Sequence, residues 1–441
     1  MAAAAVQPPS LPGPPGQPDI AYTPDYDNYL ARIKRRQEHE RLEKTLPEGF
    51  PQKLESELVW DGKTLAEHYD WNYVLTEDDQ EEIDEALSHF KSLGRPLGEI
   101  SQETFPLPDL RETLRAVSDE IHNGHGFKVV RGVPVDRYSR EDNVAIYAGV
   151  SSHVAPVRGR QDTRFRGRPA DVVLAHIKDL TKVVDARRIG ASAYTMEKQV
   201  FHTDSGDVVA LFALGEAAQG GQSYLSSSWH VYNELARTRP DLIRTLAEPW
   251  DADEFGKDGR AYSSRPLLHH QPAAGGKPER LVIQYARRVF TGYWGLPRSA
   301  DIPPITEAQA EALDALHFLA EGSAASLDFH KGDIQYANNL SIFHARGAFV
   351  DSDDKQRHLV RLWLRDPENA WETPEALRDR WDSVYSGVTP EKSVFPLEPQ
   401  IRSASRGGGG ELRPEEKESS GFLTDRDIRG SIVPEGLAIC L

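Results

Sequence analysis

Val200-Phe201-His202-Thr203-Asp204, the apolar run at 208–214, and Gly220-Gly221-Gln222-Ser223-Tyr224-Leu225 form the stretch on which the fold turns. Seven apolar residues closed by a glycine pair and followed by a fresh extended run predict two strands joined by a turn. On a strand, residues i and i+2 project to one side, so His202 and Asp204 can serve a single ion at the mouth of a sheet. Further strands are predicted at 126–132, 281–285, 334–337, 340–344 and 358–364. Helices are predicted at 109–122, where Leu110, Leu114, Val117 and Ile121 repeat at helical spacing, at 231–246 with Pro240 interrupting, and at 306–321. Many short strands with a few inserted helices place the chain in the α+β class, as a β-sandwich or jelly roll with helical covers.

The bulk properties narrow the function. The 441 residues carry a formal net charge of −17, with 39% hydrophobic and 27% charged residues, an ordinary globular balance. Such an acidic chain is not expected to bind nucleic acid or an anionic membrane, whereas a local basic pocket for a small anion remains open. No apolar run reaches the length of a membrane span, and Pro8-Pro9 interrupts the start too early for a signal peptide. The lone cysteine, Cys440, allows no disulfide within the chain and is misplaced for a prenylation box. A cytoplasmic protein is therefore expected, with any metal held by nitrogen and oxygen ligands. Residues 7–18 read as a disordered arm and 25–45 as a solvated charged helix. Gly407–Gly410 reads as a flexible linker into a loose charged tail at Glu411–Ser420.

Two His-x-Asp sequences occur. His68-Tyr69-Asp70 lies beside an acidic stretch at a helix edge and reads as structural or surface. His202-Thr203-Asp204 has the strand context. An ion that must also bind oxygen and a bidentate co-substrate accepts three protein ligands, commonly two histidines and a carboxylate on one face. The third is sought downstream, where His344 closes an apolar strand and Arg357 follows 13 residues later, with Arg361 four further. Arg357, Leu359 and Arg361 share one face of a strand. Two arginines there call for anionic partners, and a guanidinium can grip a carboxylate with two parallel hydrogen bonds. Competing partners for Arg357 are Asp351, Asp353 and Asp354, for Arg361 a buried salt bridge, and for Ser223 the turn after Gly221. His269-His270 reads as loop.

His202-Thr203-Asp204, Gly220-Gly221-Gln222-Ser223, His344 and Arg357, in that order, resemble the TauD/TfdA-like branch of the iron(II)/2-oxoglutarate dioxygenases, which includes clavaminate synthase-like enzymes. The likeness spans roughly residues 110–370. It implies a double-stranded β-helix (jelly roll) core with helical insertions at 46–400, between the arm and helix at 1–45 and a flexible tail at 401–441. It further implies that His202, Asp204 and His344 bind iron(II), and that Arg357 and Ser223 hold the far carboxylate of 2-oxoglutarate. Arg361, and by a looser alignment His153, would meet the substrate. The chain departs from better-known bacterial members in its N-terminal arm, an insert around 158–199 and the segment after 395. The implied activity consumes O2 and 2-oxoglutarate to hydroxylate, desaturate or cyclise a small anionic substrate, such as an amino acid or another carboxylate. The setting it points to is fungal secondary or amino-acid metabolism, and homo-oligomers are allowed. Two other readings stay open: a zinc hydrolase on the same three ligands, although His-Glu-x-x-His is absent, and a barrel-fold binding protein without turnover.

Overall fold

A computed structural model describes residues 13–256 and 259–406. Residues 1–12, 257–258 and 407–441, which hold half of the arm expected at 7–18 and most of the expected tail, lie outside the described residues. Two mixed or antiparallel sheets face each other. The strands that build them are β1 (Asn72–Val74), β2 (Phe127–Arg131), β3 (Val157–Arg158), β4 (Leu174–Lys178), β5 (Gln199–His202), β6 (Val208–Gly215), β7 (Ser223–Ser227), β8 (Ala325–Leu327), β9 (Ile334–Asn338), β10 (Ile342–Arg346) and β11 (His358–Arg365). The larger sheet runs β1-β2-β9-β6-β11-β3, with β4 also paired to β11, and the smaller runs β8-β7-β10-β5. This is a double-stranded β-helix core.

Residue patterning explains the layers. On β6, Val208, Ala210 and Phe212 point into a core shared with helices, while Val209, Leu211 and Ala213 belong to the opposite face. Both faces are covered, which is why the run at 208–214 is apolar without alternation. β11 repeats the arrangement: Val360, Leu362 and Leu364 enter the helix-side core, and Leu359, Arg361 and Trp363 face inward. The helix side is closed by α1 (Leu110–Asn123) and α2 (Arg140–Val154). The outer face of the smaller sheet is packed by α3 (Ser228–Thr238) and α4 (Glu307–Gly322). A Thr306/Gln309 capping box starts α4. Pro240 opens a separate helix, Pro240–Ala247, because its ring cannot continue the preceding one.

Three expectations change. The helix Tyr26–His39 is not simply solvated: Arg32 and Arg36 are 2% and 6% exposed. Arg32 binds Asp314 at 2.5 Å and Arg36 binds Glu311 at 2.6 Å, both acceptors standing on the buried side of α4. Charge density alone reads as a wet surface, but here each guanidinium meets a carboxylate. His269 and His270 lie in a strand, Leu268–Gln271, paired with Arg280–Ile283, rather than in a loop. Residues 401–406 are not loose either. Ile401 and Ser405 are buried, and Ser403 donates its amide to Asp162. No helix among the described residues is long and apolar enough to cross a membrane.

Candidate active site

The candidate site lies between the inner faces of the two sheets. β5 and β10 pair antiparallel with His202 directly opposite His344, which sets their rings 4.1 Å apart. Asp204 lies two residues past His202, in the loop leading to β6. Its carboxylate is 3.9 Å from Nε2 of His202 and 3.8 Å from Nε2 of His344. One potential ligand atom from each of the three lies within 4.8 Å of the others. His68 and Asp70 do not join them. The loop is held by Asn339, whose side chain accepts from the Asp204 amide at 2.7 Å and donates to the carbonyls of Asp204 and Gly206.

Protonation fits a cation. Nδ1 of His202 is 2.9 Å from the Val200 carbonyl, so that nitrogen carries the proton and Nε2 keeps its lone pair. Burial lowers the pKa of both imidazoles, with that of His344 held down at about 3 by burial and by the neighbouring His202. The neutral imidazole is the form that ligates a metal. The Asp204 carboxylate is held below the usual range despite burial, because Arg361 and the two histidines surround it. One of its oxygens accepts from Arg361 at 2.6 Å and from the Trp363 indole at 3.2 Å, leaving the other turned toward His202.

The same cleft is lined by Ser223, Arg346, Arg357 and Arg361 among apolar residues such as Leu211 and Leu359. The buried guanidinium of Arg357 makes no hydrogen bond or ion pair among the described residues and rests on the Phe349 ring. Asp351 accepts only its backbone amide, and neither Asp353 nor Asp354 pairs with it. Burial, reinforced by the charge of Arg346, lowers its pKa to about 9, so it stays cationic near neutrality. A buried cation without a counter-ion is a costly arrangement unless a ligand supplies one. Ser223 donates to Gln335 at 2.7 Å, and the amide nitrogen of Gln335 is itself buried without a partner. The glycine pair is required here. Gly221 has φ +78°, and a Cβ at that position would come within 3.0 Å of Cδ of Arg357.

Two expected roles are revised. Arg361 lines the cleft, but its main contacts are Asp204 and Gln161, and only its Nη2 is unpartnered. It therefore positions the carboxylate first and offers one free nitrogen to a ligand. His153 does not line the cleft. It sits in α2 with Nε2 on the Phe105 carbonyl, inside the helix-side core, and burial lowers its pKa. Its alignment placed it in sequence, but the helix turns its ring away from the sheets. The sequence reading missed Arg346, Asn339, Gln199 and Trp363. Arg346 had a signal, standing two residues beyond His344 on one strand face, whereas Asn339 had none. Nε2 of Gln199 is 3.0 Å from Nε2 of His202.

Similarity to known proteins points the same way. Residues 93–363 match the family described as "Taurine catabolism dioxygenase TauD, TfdA family". The chain is 36% identical over 356 residues to the taurine hydroxylase-like protein SAT17 of Stachybotrys chartarum, covering 79% of this chain and 89% of that one. It is 24% identical to the FR-33289 synthase of Streptomyces rubellomurinus over 73% and 93% of the two chains. An asparagine oxygenase solved with Fe(II), hydroxyasparagine and succinate shares the fold with a TM-score of 0.50 at 14% identity, covering 67% and 94%.

Proposed function

The chain belongs to the TauD/TfdA dioxygenase family and is an iron(II)/2-oxoglutarate-dependent dioxygenase; from that premise we propose that His202, Asp204 and His344 hold the iron and that Arg357 receives 2-oxoglutarate. The observation that carries this reading is a neutral His pair and a carboxylate converging beside a buried guanidinium that has no partner of its own. When bound, iron(II) and 2-oxoglutarate couple decarboxylation of the co-substrate by O2, yielding succinate and CO2, to oxidation of an unactivated C–H bond.

Each residue then has a task. Arg357 offers two parallel donors to the far carboxylate, and the Ser223 hydroxyl, now on Gln335, can turn to the same oxygen pair. Arg361 and Trp363 donate to one oxygen of Asp204, fixing its orientation and leaving the other oxygen for the metal. Ile177, Leu211 and Leu359 keep the cleft apolar, which excludes water and strengthens the charged contacts. The free Nη2 of Arg361 supports a small anionic substrate, an amino acid or another carboxylate, with hydroxylation as the default outcome. A zinc hydrolase gives Arg357 nothing to bind.

Anaerobic addition of iron(II) and then 2-oxoglutarate tests the reading. A weak visible charge-transfer band should form in the parent protein and be absent in His344→Ala. In Arg357→Gln it should require far more 2-oxoglutarate. No band in the parent protein, or hydrolysis supported by zinc alone, would sink the assignment.

A further inference from the structure

Beyond the residues matched to the family, the segment at 401–406 folds back against Tyr194, Asp162 and Trp363, next to the candidate site. Arg402 lies 5.5 Å above the Trp363 ring, whose other guanidinium neighbour is Arg361 at 5.0 Å. Trp363 in turn donates to Asp204, so Arg402 stands one indole away from the triad. Arg380 donates to Ser205, the residue after Asp204. Arg288 donates to the carbonyls of Gly190 and Ala404, the latter two residues past Arg402. These side chains are close enough to feel one another. Burial lowers the pKa of Arg288, Arg361 and Arg380, with the charge of Arg402 adding to it and Asp204 and Glu254 opposing it, while that of Arg402, despite burial, is held up by Tyr194, Asp204 and Asp162.

Three acidic groups among the described residues stand nearby. Asp204 pairs with Arg361, while Asp162, bonded by Ser403, and Glu254, bonded by Ser263, keep their charge and act on Arg402 and Arg380. Among the described residues Arg288, Arg380 and Arg402 form no ion pair, and Nε of Arg402 is buried without a partner, as is Nη2 of Arg361. With Asp204 committed to a metal, the four guanidinium groups of Arg288, Arg361, Arg380 and Arg402 face two carboxylates, Asp162 and Glu254, an excess of two positive charges in a chain of net charge −17. An anion with two charges balances that excess.

We propose that Arg402, with Arg380 and Arg288, forms an anion subsite beside the triad, and that the primary substrate carries at least two negative charges at the end remote from the oxidised carbon. This rests on the dioxygenase reading above, in which Asp204 is committed to the metal. Arg402 is then a specificity-determining residue contributed from outside the family-matched span of 93–363.

The test uses the full chain saturated with Mn(II) and 2-oxoglutarate, titrated calorimetrically with methyl phosphate and with methyl sulfate. The two ions share a shape and differ by one charge above the second phosphate pKa of about 6. Methyl phosphate should bind at least about tenfold more tightly, and Arg402→Met should remove about tenfold of that affinity while 2-oxoglutarate binding is unchanged. Arg402→Lys should restore part of it. Equal affinity for the two ions, or full methyl phosphate affinity in Arg402→Met, overturns the proposal. Should Arg402→Met fail to fold, Arg380→Met carries the same expectation and the same refutation. Loss of 2-oxoglutarate binding in the parent protein would instead refute the dioxygenase reading, so the two failures are distinct.

Discussion

Asn339 contacts no candidate ligand atom, yet it makes three hydrogen bonds that fix the backbone of the Asp204 loop. Groups that orient a metal ligand typically govern about 10- to 100-fold in affinity. Asn339→Ala should therefore weaken iron(II) or Mn(II) binding by about that factor while the protein remains folded. A competition titration with a chelating dye checks it, and an unchanged dissociation constant would show that the loop holds itself. For Arg357 the expected loss is of co-substrate affinity. Two charge-assisted hydrogen bonds are worth about 3 kcal/mol, so Arg357→Gln should raise the KM for 2-oxoglutarate by about two orders of magnitude with metal affinity kept. Arg357→Lys should rescue little, because a point charge cannot reproduce the planar fork. Similar losses in both affinities would mean that the guanidinium serves the fold.

At the scale of elements, the Gly220-Gly221 turn couples backbone shape to that guanidinium. Gly221→Ala forces a side chain into a left-handed conformation and against Cδ of Arg357. The variant should raise the KM for 2-oxoglutarate several-fold at a modest loss of melting temperature. A large drop in melting temperature with unchanged KM would count against the coupling. The helix Tyr26–His39 offers a second case. Glu311 is fully buried and paired with both Arg36 and Arg239, and Asp241 also lies against Arg36. Arg36→Met leaves one guanidinium for two buried carboxylates. The expected cost is about 3 kcal/mol, at the lower end for breaking a buried pair, measured by denaturant unfolding. A cost below about 1 kcal/mol, the range of an exposed pair, would make the helix an accessory to the core.

Across the whole molecule, burial keeps several histidines neutral. His176 and His269 have pKa values lowered to about 4 by burial, and His344 to about 3. His317 and His358 are lowered to about 2. Unfolded, each would titrate near 6.5, so below that pH the unfolded chain binds more protons and stability must fall as pH falls. Asp207 acts in the opposite sense. Burial raises it to about 6, so its protonation in the native state returns part of the loss between about pH 6 and 4. The metal-free protein should show a melting temperature that declines steadily from about pH 6.5 downward. A profile that stayed flat to about pH 4 would mean that these imidazoles are wet in solution.

Local sequence determined most of the elements and singled out a candidate ligand set. The helix over 109–122 follows from periodicity and the strands around 208–214 and 223–225 from apolar runs set off by a glycine pair, although these two strands fall in different sheets; His202, Asp204, His344 and Arg357 stood out by order and spacing. The signals for the elements are short-range, set by the chain's own repeat of about 3.6 or 2 residues, whereas the candidate site was read from the order of motifs along the chain. Register was not legible. That His202 faces His344 across two strands, that Arg361 leans on Asp204 and that His153 points into a core are outcomes of packing between segments far apart in the chain. The burial of Arg32 and Arg36 and the return of Arg402 to the site belong to the same class, since a charged residue looks solvated until its partner is placed. Only the tertiary structure could decide them, because a side chain's charge is fixed by its type but its counter-charge is chosen by the fold.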